Sequence, residues 1–261
     1  MSALRPLRIL MYHEVAATAP PAFAKYAVTP RAFTRQMAWL ARTGYRSVLP
    51  DDLVAARAGR GTLPPKPVMI TFDDGYQSCL VHAVPALRQH GFTAVFYLVA
   101  GLVGSTSRWL RTELGLELPL FDWHAARELE RQGFACEAHS LTHPHLAQLA
   151  PAACRYELED SRRILERELG REVRHLAYPF GSYDAGVRTL AQEAGYRTAC
   201  SVRIGLSPPD DDLLALHRVP VSGHDSLLDF VCRLRTALGV REALGGVLDK
   251  VRRQDHPRTA G

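Results

Sequence analysis

Short β-branched and apolar runs alternate along this chain with segments of helical period, and that alternation constrains the fold more than any other feature. The strands it predicts cover 8–12, 46–49, 68–72, 93–99, 135–138, 175–178, 198–202 and 216–221. Between them, 29–43, 51–57, 83–90, 123–132, 152–169 and 185–193 read as helices. The first opens with Thr29 as N-cap and Pro30 as first helical residue, and sets Phe33, Met37 and Leu40 on one face. Gly44, Gly91, Gly133, Gly170 and Gly195 mark helix ends. Seven or eight β/α units in 261 residues fit a distorted (β/α) barrel better than an open doubly wound sheet. No repeat or linker divides the chain, so the expectation is a single α/β domain over 1–240, followed by a basic tail over 241–261.

Composition removes several classes of function. With 47% hydrophobic and 23% charged residues the chain is apolar enough to fold on its own. Its longest apolar stretch, 93–104, falls short of the roughly 20 residues a membrane span needs. The net charge is +5, but of 32 basic residues only Lys25, Lys66 and Lys250 are lysines, and the arginines are scattered among acidic residues. No basic block or aromatic-interleaved stripe forms, so nucleic acid is not expected as a partner. Five cysteines, Cys79, Cys136, Cys154, Cys200 and Cys232, show no CxxC spacing and read as free thiols. The first residues lack a long apolar region and a small-residue cleavage site, which makes a cytoplasmic location the expectation. No residue pattern speaks to oligomeric state.

Three predicted strands end in residues that carry chemistry, and in a barrel those ends build the active site. The first runs through Thr71-Phe72 into Asp73-Asp74-Gly75, two carboxylates that leave the strand in different directions. Taken alone, this is also an ordinary Asp-Gly turn. The second continues into His139-Ser140-Leu141-Thr142-His143-Pro144-His145. Histidines four apart can converge on one divalent cation in a helical turn, although a His-rich surface loop looks the same. One Asp with two His leaves coordination positions open for water and substrate. The third ends in Tyr178-Pro179-Phe180-Gly181, a tight turn or a rigid loop presenting a backbone N–H and aromatic surface.

Together these segments resemble the polysaccharide deacetylases with the NodB homology domain, carbohydrate esterase family 4. Thr71 to Gly75 matches the TFDDG motif, His139 to His143 the H-[ST]-x-x-H motif, and Tyr178 to Gly181 the later part of R-x-P-[FY]-G. The resemblance covers residues 8 to about 230 and implies a metal-dependent N-deacetylase of N-acetylated glycans. Asp74, His139 and His143 would bind one divalent metal, usually zinc. Asp73 would be the general base toward the attacking water, and the oxyanion would be met by the metal and the Phe180 N–H. Tyr178, Pro179 and Trp109 are candidate substrate contacts, Trp109 being as readily a packing residue.

Two departures from the family pattern stand out. The arginine that usually opens the third motif and pairs with the base is Ala177 here, so another group must orient Asp73. The usual C-terminal L-x-H motif is also indistinct, leaving His217 and His224 as candidate acids. Instead Tyr12-His13-Glu14 resembles the N-terminal segment of the poly-N-acetylglucosamine deacetylase branch, in which that His is the acid. His13 therefore stands ahead of His217 in that role. The alternatives are a hydrolase of a small N-acyl compound or a lipid-linked sugar, and a non-catalytic carbohydrate-binding relative. His145, His82, His90 and His124 read as surface residues.

Overall fold

Every residue from Pro67 to Phe72 is buried, as in a strand covered on both faces within a parallel sheet. The chain in this computed structural model is described for residues 6–240, 242 and 243, so nearly all of the expected tail lies outside the described residues. Its strands are β1 (Arg8–Tyr12), β2 (Glu14–Val15), β3 (Ala27–Val28), β4 (Arg46–Ser47), β5 (Pro67–Phe72), β6 (Val95–Leu98), β7 (Ala135–Ala138), β8 (His175–Ala177), β9 (Thr198–Ile204) and β10 (Leu216–Pro220). Its α-helices are α1 (Pro30–Arg42), α2 (Pro50–Arg57), α3 (Ser78–Gln89), α4 (Trp109–Leu114), α5 (Trp123–Arg131), α6 (Pro151–Leu169), α7 (Ala185–Glu193) and α8 (Leu227–Thr236).

Seven parallel strands close a barrel in the order β1, β10, β9, β8, β7, β6, β5, because β1 pairs with both β10 and β5. The other edge of β5 pairs first with β4 at Pro67 and Val68, then with β6 at Thr71 and Phe72. The expected fold is therefore a seven-stranded closed barrel, with β4 a two-residue filler low in the β5–β6 seam. Period-two alternation sorts each strand between two cores. Ile9, Met69, Val95, Tyr97, Ala177, Cys200 and Leu216 fill the barrel interior. Leu10, Val68, Ile70, Phe72 and Phe96 face the helices, where Phe33, Met37, Leu87, Leu129 and Leu158 meet them.

The structure differs from the sequence reading at α3, α4 and α8, and in adding the two-residue strands β2 and β3, which pair with each other outside the barrel. Helix α3 starts at Ser78, five residues before the predicted onset, and carries Pro85 inside it. Helix α4 has six residues and no side-chain cap, so it offers almost no local signal. Helix α8 does carry one, a capping box in which the Ser226 side chain accepts from the Asp229 N–H.

A strap of residues Pro21–Tyr26, a six-residue 3₁₀ helix, lies beside the carboxyl ends of the strands and is held by Gly223, whose N–H donates to the Lys25 carbonyl at 3.0 Å. A Cβ on Gly223 would run into the carbonyl oxygens of Ala24 and Ala27. Gly223→Ala is therefore expected to destabilise the protein by about 1–3 kcal/mol, the usual cost of overpacking. Urea unfolding of the variant against the parent measures this, and an unchanged midpoint would mean the strap moves aside freely.

Candidate active site

Alternation along β5 sends Met69, Thr71 and then Asp73 toward the barrel axis. There Asp73 meets Arg218 of β10, whose Nη1 and Nη2 donate to its two carboxylate oxygens at 2.7 Å each. The guanidinium is fully buried and also donates through Nε to the Ser201 carbonyl at 2.8 Å. Burial, the largest influence, would raise the Asp73 pKa, but the charge and hydrogen bonds of Arg218 together with His139 and His13 outweigh it and hold the carboxyl below its ordinary value. The cation that Ala177 does not supply thus comes from two strands further on. Ala177 instead packs in the barrel core.

Asp74 leaves the strand in the left-handed region, at φ 77°, which an aspartate tolerates better than most residues. The turn carries its carboxylate toward the loop after β7. His139 donates from Nδ1 to the Ala177 carbonyl at 2.7 Å, which leaves Nε2 free to face Asp74 Oδ1 at 3.3 Å. His143 Nε2 lies 3.2 Å from the same oxygen. The two histidines do not converge through a helical turn, as their spacing predicts. They converge because Ser140 and His143 both adopt left-handed backbone, at φ 62° and 68°.

Partners on both sides impose that loop shape. Glu157 of α6 accepts from the N–H groups of Leu141 and Thr142 at 2.9 Å each, and from the Thr142 hydroxyl at 2.6 Å. Opposite, the N–H groups of Ala100 and Gly101 donate to the Ser140 and Leu141 carbonyls. A Cβ on Gly101 would sit 2.7 Å from the Leu141 oxygen, so the close approach requires glycine.

The ligand atoms of Asp74, His139 and His143 all lie within 4.8 Å of one another, and all three residues are buried. Asp74 Oδ1 is buried without a hydrogen-bond partner. Burial would raise its pKa, but the two imidazoles outweigh this and hold it well below the usual carboxylate range. A deprotonated carboxylate and two imidazole nitrogens aimed at one point suit a divalent metal.

Around this point opens a cavity of about 510 Å³, whose lining includes Asp73, Asp74, His139 and His143 with His13, Trp109, Tyr178 and Phe180. Burial pushes His13 below the ordinary imidazole value, against the pull of Asp73 and Asp74. Trp109 stacks on His143 at 4.3 Å. Phe180 has left-handed backbone, φ 55° and ψ 7°, a conformation that costs a side-chain-bearing residue on the order of 1–3 kcal/mol. Tyr178 gives its hydroxyl to the Leu214 carbonyl at 3.0 Å and stacks its ring on Tyr183, so that hydroxyl is already engaged within the fold. Pro179 is buried in the turn and His217 is not in the lining. His217 sits on the other face of β10 from Arg218, with Nδ1 bonded to Asp211 at 2.9 Å.

Residues 60–199, 140 of 261, match the family model for polysaccharide deacetylase. The chain belongs to the polysaccharide deacetylases. YxkH of Bacillus subtilis, whose name places it provisionally in that family, is 26% identical over 83% of this chain and 71% of its own. The poly-beta-1,6-N-acetyl-D-glucosamine N-deacetylase of Escherichia coli K12 is 34% identical over 40% of this chain, a match that spans only 16% of that longer protein. Among solved structures, IcaB from Ammonifex degensii is 28% identical with a TM-score of 0.70, covering 84% of this chain and 93% of that one. Family membership makes this deacetylase a hydrolase acting on polysaccharide amides.

Sequence reasoning passed over Arg218 and Glu157, whose partners lie 145 and 15 to 16 residues away. A strand-period reading of 216–220 would have set Arg218 on the inner face, with Leu216. Replacing Arg218 with Met strands a buried carboxylate and should cost about 3–5 kcal/mol. Because Asp73 is held below its ordinary pKa, the pair's stabilisation is complete above the usual carboxylate range, begins to fall within it, and is lost only as pH drops through the lower folded-state value. Denaturant titrations from pH 7 to pH 3 test this. The Asp73→Leu/Arg218→Met double variant should regain most of the loss, and a double as unstable as the single would refute the pair as its source.

Proposed function

We propose that this deacetylase is a metal-dependent N-deacetylase that removes acetyl groups from N-acetylglucosamine-containing glycans. The observation that carries the reading is the juxtaposition of two adjacent carboxylates in different states of engagement. Asp73 is held ionised by a bidentate cation, and Asp74 has an unpartnered oxygen facing two imidazoles. A non-catalytic carbohydrate-binding relative would need neither. The E. coli relative's name supports the N-acetylglucosamine substrate.

Asp74, His139 and His143 would hold the divalent ion, for which zinc suits one carboxylate and two imidazoles. Bound there, it would supply Lewis-acid polarisation of the amide carbonyl and acidify a water. Asp73 takes a proton from the attacking water, and Arg218 keeps it the anion able to do so. The Phe180 N–H has no partner among the described residues and is offered to the oxygen that gains charge. His13 delivers a proton to the departing amine nitrogen, since among the described residues it is the one histidine lining the cavity outside the ligand set. Acetate and a free amino sugar result.

Acetate release from N-acetylglucosamine oligomers, measured with and without chelator and with zinc restored, is the test. Asp73→Asn and His13→Ala are each expected to lower kcat by about 10²–10⁴-fold while zinc stays bound. Full turnover in Asp73→Asn, or turnover that survives complete metal removal, would overturn the mechanism. Release confined to single sugars or lipid-linked sugars would favour the small-substrate reading.

A further inference from the structure

Four of the five non-glycine residues with left-handed backbone among those described belong to this site, and Phe180 is the one whose side chain is least suited to it. The residue is 38% exposed, so burial alone does not hold it. Gly181, also left-handed at φ 65°, has no room for a Cβ beside Val202 and continues the same strained turn.

Two histidines of the neighbouring loop bracket the Phe180 ring. The ligand-set residue His143 meets it nearly perpendicular, at 4.5 Å and 73°. His145 lies flat against it, at 4.0 Å and 15°. The two loops are joined again where the Ala147 N–H donates to Ser182 Oγ at 3.2 Å. His145 takes no part in the ligand set, and its Nε2 stands 4.0 Å from Glu113 Oε1, too far for a hydrogen bond. What it supplies is a ring face.

We propose that His145 is a positioning residue for the Phe180 N–H: its ring, stacked on Phe180, keeps that peptide in the left-handed conformation that presents the N–H to the cavity. This rests on the deacetylase reading above, in which that N–H meets the substrate oxygen. An aromatic stack of this geometry is worth enough to offset part of the backbone strain. Without it, the peptide relaxes and the donor turns away from a charge that develops only in the transition state. The prediction is kinetic and structural at once.

In His145→Ala, kcat should fall about tenfold with KM held, the size expected for one stacked pair acting in the transition state. Zinc content should match the parent. His145→Phe, which keeps the ring and removes both nitrogens, should restore the rate, whereas His145→Gln should not. Crystal structures should show Phe180 out of the left-handed region in the Ala variant and within it in the Phe variant. The proposal is overturned if His145→Ala keeps both its rate and the Phe180 conformation, or if His145→Phe is as slow as His145→Ala. Should the parent protein deacetylate no glycan at all, the deacetylase reading fails on its own, and the Phe180 conformation in the two variants still decides the role of His145. If the Ala variant does not fold, comparison of the Phe and Gln variants by the same two readouts does so.

Discussion

A carboxylate that must be both buried and ionised needs a cation, and in this barrel Asp73 and Arg218 meet that need inside the ring of strands. Stranding either charge in the interior would cost several kcal/mol, so the pair ties the end of β5 to β10. Between those two strands runs β1, which closes the barrel by pairing with both. The geometry that completes the fold is therefore also the geometry that sets the protonation state of the proposed base. Thr71 and the Ser201 carbonyl add contacts to the same guanidinium, so the charge sits in a satisfied network.

Above that network the backbone is bent out of its comfortable regions at Asp74, Ser140, His143 and Phe180. Strain of this kind persists only where the surroundings over-determine it. Here they do so through Glu157 on one side of the His loop and the Ala100 and Gly101 peptides on the other. The same bends make three ligand atoms converge without a regular helix to place them. Rigid strands supply position, and short strained loops supply direction.

Much of this was legible in the chain. β1 and β7 have their predicted bounds, most other predicted strands and helices fall within two residues of theirs, and the number of β/α units favoured a barrel, whose closure the β1 pairings establish. The residues after β5, β7 and β8 do gather at one cavity, because parallel strands deliver their carboxyl ends to the same side. Less legible were α4, six residues with no cap, and the strap around Phe23, whose shape depends on Gly223 some 200 residues later. His217 shows how narrow the margin is. It neighbours Arg218 in sequence, and one step along a strand turns its side chain to the opposite face.

The sequence by itself determined the element pattern, the family and the set of side chains capable of ligation and proton transfer, because hydrophobic period and local motif are properties of neighbouring residues. Only the tertiary structure decided that Arg218 replaces the missing third-motif arginine, that Glu157 shapes the His loop, and that His145 lies on Phe180. Those contacts join side chains from different strands, helices and loops, and their existence depends on the closure, register and left-handed turns that bring distant segments within a few ångströms.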